Sequence, residues 1–126
     1  MQGIFTRPFN KLDVSDLKDL IETRKVREHI HLDCKLEAYK HHNSGTVEML
    51  SDVTAMANAQ GGYILIGVEE DRDQPDGTPK KLVGIENGDE EATRIQSICL
   101  SSIDEKIPGI RVKDIPLPNS RSCIVI

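Results

Sequence analysis

Tryptophan is missing from this chain of 126 residues, and its whole aromatic complement is Phe5, Phe9, Tyr39 and Tyr63. With so few flat side chains, base stacking cannot be a major theme of any nucleic-acid recognition. Long apolar runs are missing too. Nothing approaches the roughly 18 residues that read as a membrane span, and residues 1–10 lack the basic start and apolar stretch of a secretory signal. The expected location is the cytoplasm, with no membrane partner. The three cysteines, Cys34, Cys99 and Cys123, are odd in number, far apart and outside any Cys-x-x-Cys pair. They are expected to be reduced core thiols rather than zinc ligands or a disulfide framework. A Gly-x-x-x-x-Gly-Lys-Ser/Thr loop is absent, and Ala59-Gln60-Gly61-Gly62-Tyr63 lacks the spacing of a phosphate cradle, so ATP binding finds no support.

An excess of positive charge is also lacking. Sixteen Lys and Arg stand against 21 Asp and Glu, for a net charge of -5 and a pI near 5.3. Non-specific nucleic-acid binding draws on cations that neutralise phosphates, so the total argues mildly against it. The distribution is uneven, however. Up to Lys40 the charges nearly cancel, and all four histidines (His29, His31, His41, His42) lie between Glu28 and Asn43. The acidic excess comes later, at Glu69, Glu70, Asp71, Asp73 and Asp76 and again at Asp89, Glu90 and Glu91. A local basic strip of Arg24, Lys25, Arg27, Lys35 and Lys40 therefore remains available as a binding face.

What is present is the composition of a packed protein, with 37% hydrophobic and 29% charged residues. The length suits one compact domain over residues 1–126. Val14, Leu17, Leu20 and Ile21 recur at helical spacing behind the capping residues Asp13 and Ser15, predicting a helix near residues 14–24. Residues 29–36 alternate, which puts Ile30, Leu32, Cys34 and Leu36 on an inner face and His29, His31, Asp33 and Lys35 on a polar outer one. A second helix, capped by Ser44 or Thr46, carries Val47, Leu50, Val53 and Ala57 inward and ends at Gly61-Gly62. Residues 63–68 read as a central strand, paired hairpin-like with residues 82–85 across a turn-rich connection.

Asp89 caps a third predicted helix with Ala92, Ile95 and Cys99 inward, and strands follow at 110–115 and 122–126. The expected fold class is α/β (α+β), a mixed β-sheet with about three packed helices. The apolar ending Cys123-Ile124-Val125-Ile126 suggests the N-terminal part of a longer protein, with a missing C-terminal domain or a second subunit (a homodimer) covering that end.

Three blocks in order resemble the Schlafen AlbA-type domain from Glu28 to about Ile115. They are Glu28 followed by Leu32-Asp33-Cys34-Lys35; the alanine-rich helix Val53-Thr54-Ala55-Met56-Ala57-Asn58 running to Gly61-Gly62; and Tyr63-Ile64-Leu65-Ile66-Gly67-Val68-Glu69-Glu70, with Leu82-Val83-Gly84-Ile85 as a second arm. Asp33 replaces the commoner glutamate, and Cys34 stands where an aromatic is usual.

The resemblance implies a nucleic-acid (DNA or RNA)-binding module of a bacterial regulatory protein acting in transcription, and the basic cluster Arg24, Lys25, Arg27, Lys35 and Lys40 supplies candidate phosphate contacts for it. It also implies an alternative, since animal members are RNA endonucleases built on three carboxylates. By motif those acids map onto Glu28, Asp33 and Glu70, with Asp71 as the alternative to Glu70. Such a site would use Mg²⁺ or Mn²⁺ as its metal and Lys35 to stabilise the developing charge. A third reading is a non-catalytic sensory or protein-interaction domain. Ordinary solvated turns and strand faces would account for the same charged residues without any function.

Overall fold

A computed structural model describes residues 8–23, 31–41, 43–58, 62–70, 79–102 and 110–126. Within them a short 3-10 turn, Phe9–Lys11, precedes α1 (Val14–Thr23), β1 (His31–Lys35), α2 (Asn43–Asn58), β2 (Gly62–Ile66), β3 (Val68–Glu70), β4 (Pro79–Leu82), α3 (Gly88–Ser102), β5 (Lys113–Pro116) and β6 (Ser122–Val125). The class is α+β as the sequence suggested. One mixed sheet runs β1-β2-β6-β5, and β3 and β4 form a separate two-stranded sheet.

The α1 start follows from its residues. Asp13 Oδ1 accepts from the Ser15 backbone N–H at 2.9 Å, and Asp16 Oδ2 accepts from the Asp13 N–H at 2.9 Å. This reciprocal arrangement satisfies donors that a helix end leaves open. The α3 start departs from expectation. The helix begins at Gly88, one residue after Asn87 in a left-handed conformation (φ 54), whose carbonyl accepts from the Glu91 N–H at 3.0 Å. Asp89 therefore sits inside the first turn instead of capping it.

Strand alternation divides the core in two. On one face Cys34, Leu65, Cys123 and Val125 pack with Leu12, Leu17, Val68, Ile115 and Leu117. On the other, Ile64, Ile66 and Ile124 pack with Met49 and Val53 of α2 and with Ile95 and Cys99 of α3. β1 pairs parallel with β2 through the α2 crossover, with Asp33 opposite Ile64, Cys34 opposite Leu65 and Lys35 opposite Ile66. The parity puts Asp33 and Lys35 on the face that α2 and α3 cover, so the expected wet outer face is partly roofed by a helix. All three cysteines are buried and none forms a disulfide. The apolar run Cys123 to Val125, fully buried, is a strand between β2 and β5 of the chain's own sheet.

Two inward-facing assignments need correction. Leu36 lies beyond the end of β1 and is 48% exposed instead of facing inward. Val47 is 65% exposed, because Met49 and Val53 form the inward stripe of α2. The phase is set at the first turn, where Gly45 lies so close to the Lys40 backbone that any side chain there would collide with it.

The predicted strand 63–68 is also broken, at Gly67. Gly67 (φ +84) and Gly84 (φ +82) lie back to back, and a Cβ on Gly67 would fall 2.9 Å from the Gly84 Cα. The Gly67 carbonyl accepts from the Val83 and Gly84 N–H groups at 2.9 and 2.8 Å. Only glycine combines that backbone region with that approach, and the pair lets the chain leave the main sheet. β3 then pairs antiparallel with β4 (Val68 opposite Leu82), while Ile85 bridges to Ser122.

Candidate functional site

Lys35 is the last residue of β1, and its ammonium reaches under α2. Glu48 and Asp52 sit one turn apart on that helix, the i,i+4 spacing that aligns two side chains. Lys35 Nζ lies 3.4 Å from Glu48 Oε1, 3.3 Å from Asp52 Oδ2 and 3.6 Å from Asp33 Oδ2. It also stands 5.3 Å from the centre of the Tyr39 ring, a distance at which the ring quadrupole attracts a cation. Partial burial pulls the Lys35 pKa down, but the Asp33 and Asp52 charges and the Asp52 and Glu48 hydrogen bonds outweigh it and hold it above its ordinary value.

Tyr39 completes this node. Its hydroxyl donates to the same Asp52 Oδ2 at 2.7 Å. Burial, then the Asp52 hydrogen bond and the charges of Asp52, Asp33 and Glu48, push the phenol far above its ordinary pKa. It therefore remains a hydrogen-bond donor across the physiological range.

A second node holds residues 36–41, the connector that leaves β1, from the other side. Glu91 is 5% exposed, and its Oε1 accepts from Arg94 Nη2 at 2.6 Å and Nε at 3.0 Å. Its Oε2 lies 2.6 Å from His41 Nε2. Arg94 Nη2 also donates to the Tyr39 carbonyl at 3.2 Å. Residues 36–41 are thus tied to α2 by the Tyr39 side chain and to α3 by Glu91 and Arg94. His41 has one ring nitrogen engaged at Glu91.

Between β1 and the α2 N-terminal half lies an open hollow of about 370 Å³, lined by residues 35–40 and Glu48. Lys40 is exposed at it.

Of the residues singled out from sequence, Asp33 and Lys35 are brought together and Lys40 lies on the same connector. Glu70 is in β3, and the Gly67 N–H donates to the Lys35 carbonyl at 2.7 Å, so β3 sets out from the end of β1. The Glu70 side chain lies outside the described residues. So do Arg24, Lys25, Arg27, Glu28, His29, His42 and Asp71. Among the described residues no group of three or more His, Cys, Asp or Glu is arranged to hold a metal ion. Amid Asp33, Glu48 and Asp52 the cation position is taken by the Lys35 ammonium.

Sequence reasoning missed Glu48, Asp52, Tyr39, Glu91 and Arg94. The i,i+4 pair Glu48/Asp52 and the i,i+3 pair Glu91/Arg94 were visible as spacings, but their targets were not.

An α+β domain with a parallel β1-α2-β2 unit, a glycine-hinged β3 and an acid-ringed strand lysine defines the class. The family model described as "Schlafen, AlbA_2" matches residues 28–126, and the chain belongs to that family. No curated protein and no solved structure matches it significantly. No helix among the described residues is long and apolar enough to cross a membrane.

Proposed function

We propose that this chain is a nucleic-acid-binding module of a regulatory protein, contacting the phosphate backbone from the side that carries residues 35–40. Membership of the Schlafen AlbA_2 family over residues 28–126 is the observation that carries the reading. The geometry supports a division of labour within it. Lys35 faces three carboxylates, so its charge is already compensated and its role is to hold that ring in place. Lys40 is exposed and has no ion-pair partner among the described residues, which makes it the phosphate-facing cation of the connector. Arg24, Lys25 and Arg27, between α1 and β1 in sequence, would extend the contact.

Such binding is backbone-dominated and falls steeply with salt. Fluorescence anisotropy with labelled DNA and RNA across a salt series tests it. Affinity that drops steeply as salt is added supports the module, and no association with any strand at low salt sinks it.

A second reading is a metal-dependent endoribonuclease using Glu28, Asp33 and Glu70 with Lys35. Its supporting observation is the adjacency of β1, which carries Asp33, to the start of β3, which carries Glu70. Incubation with structured RNA and Mn²⁺ or Mg²⁺ decides it. Cleavage that survives both Asp33→Asn and Glu70→Gln would remove those acids from the chemistry.

A further inference from the structure

We infer that the hollow between residues 35–40 and Glu48 receives a single unpaired nucleobase, so that the module prefers single strands to duplexes. The inference rests on the nucleic-acid reading above and adds the form of the ligand.

Size comes first. About 370 Å³ lies at the lower end of the range for small-ligand sites, about 300–1,000 Å³, which suits one planar heterocycle and not a duplex groove. The walls come next. Leu36 turns 48% of its surface outward where the strand pattern would have hidden it, and with Ala38 it offers an apolar surface for the face of a ring. The buried Tyr39 is spent on Asp52 and Lys35, so the contact is aliphatic and not a stack on an exposed aromatic.

Charge then decides which part of a nucleotide can enter. Glu37 and Glu48 are the acids of the lining, beside Lys35 and Lys40, and the Lys35 ammonium is already engaged by Asp33, Glu48 and Asp52. A phosphate gains little from an ammonium already held by three carboxylates, whereas the exposed Lys40 would meet it at the mouth. A base edge fits the interior for the opposite reason. Carboxylates are acceptors only, and they pair with exocyclic amino groups such as the cytosine N4 amine. The same acceptors would confront the O4 carbonyl of thymine or uracil. A stacked, paired base cannot reach into a hollow of this kind, and recognition of splayed bases is a single-strand mode.

The connector is well suited to hold such a site. It is tied at both sides, by Asp52 on α2 and by Glu91 and Arg94 on α3, so the hollow is formed before a ligand arrives and little ordering remains to be done on binding.

The test is anisotropy at low salt with labelled deoxycytidine and deoxythymidine strands of equal length and a mixed-sequence duplex, using wild type, Leu36→Ala and Glu48→Gln. Both positions are exposed (Leu36 48%, Glu48 58%), so the variants retain the fold, and circular dichroism checks that they do. The expected result is a preference for the deoxycytidine strand over both other probes of roughly tenfold, the order of one good base-edge contact. Leu36→Ala should weaken both single strands, and Glu48→Gln should erase the preference for cytosine. Equal, salt-sensitive binding of all three probes, indifferent to both variants, overturns the hollow while leaving the nucleic-acid reading intact. No binding of any probe overturns both. Displacement of a bound strand by an arginine-rich peptide that itself binds in a Leu36-dependent way would assign the hollow to a basic protein segment and likewise overturn the inference.

Discussion

The connector 36–41 is held by two ion-paired nodes of similar chemistry and different setting, one centred on the acid Glu91 and the other on the lysine Lys35. At the Glu91 node a single buried carboxylate meets Arg94 and His41, and each of its oxygens has a partner. At the Lys35 node a single cation faces three carboxylates of which Glu48 is 58% and Asp33 40% exposed. The first is closed and compensated within the fold. The second lies beside the hollow, with acidic charge in excess and solvent at hand. A buried, compensated carboxylate fixes backbone position, whereas an exposed ring of acids around one lysine shapes what can approach.

If that contrast is right, the two nodes respond differently to mutation. Glu91→Ala should have the largest effect, about 2–3 kcal/mol of lost stability in chemical denaturation. That is below the 3–5 kcal/mol of a fully buried pair, because Arg94 (24% exposed) and His41 (65% exposed) can turn toward water. The loss should barely change at high salt, since buried pairs are weakly screened. Tyr39→Phe should cost about 1 kcal/mol, the net worth of one hydrogen bond, with some increment for the charged acceptor. Lys35→Met, which keeps the stem, should cost under about 1 kcal/mol. Added salt should shrink that loss further. A Lys35→Met loss as large and as salt-resistant as that of Glu91→Ala would erase the distinction.

Alkaline pH sharpens the comparison. Burial raises the Cys123 thiol from 9.0 to about 11, and the Tyr39 phenol is raised well above 10.0. In both cases the folded state keeps a proton that the unfolded chain gives up, so stability falls as pH rises above the unfolded value. Lys35, also raised, contributes stability that is complete below 10.5 and lost as pH climbs through its folded value. Denaturation midpoints should therefore fall from about pH 9 upward. The Cys123 part amounts to about 2–3 kcal/mol by pH 11, and Cys123→Ala should flatten the first part of the decline and Tyr39→Phe the later part.

Much of the fold was legible because it rests on local periodicity. The 3.6-residue stripe of Ile95 and Cys99, the continuous run at Ile64 to Ile66 and the Asp13 cap each specify their own element. What escaped depends on contacts distant in sequence. The phase of α2, with Val47 outside and Met49 inside, is set by Gly45 meeting the Lys40 backbone, and nothing in the helix announces that neighbour. The break at Gly67 requires Gly84, seventeen positions away in the chain.

The candidate site shows the same limit. Alternation put Asp33 and Lys35 together correctly, but whether their face is wet depends on which side of the sheet α2 crosses. Once α2 covers that side, Glu48 and Asp52 become partners of Lys35, and its role shifts from free cation to the centre of an acid ring.

That shift can be measured directly by titrating DNA affinity against salt for wild type, Lys35→Met and Lys40→Ala side by side. Lys40→Ala should weaken binding and flatten the slope of log affinity against log salt by about one, the mark of one lost phosphate contact, while Lys35→Met leaves the slope unchanged. A slope flattened by Lys35→Met and untouched by Lys40→Ala would contradict the account, because it would make the ringed lysine the one that meets phosphate.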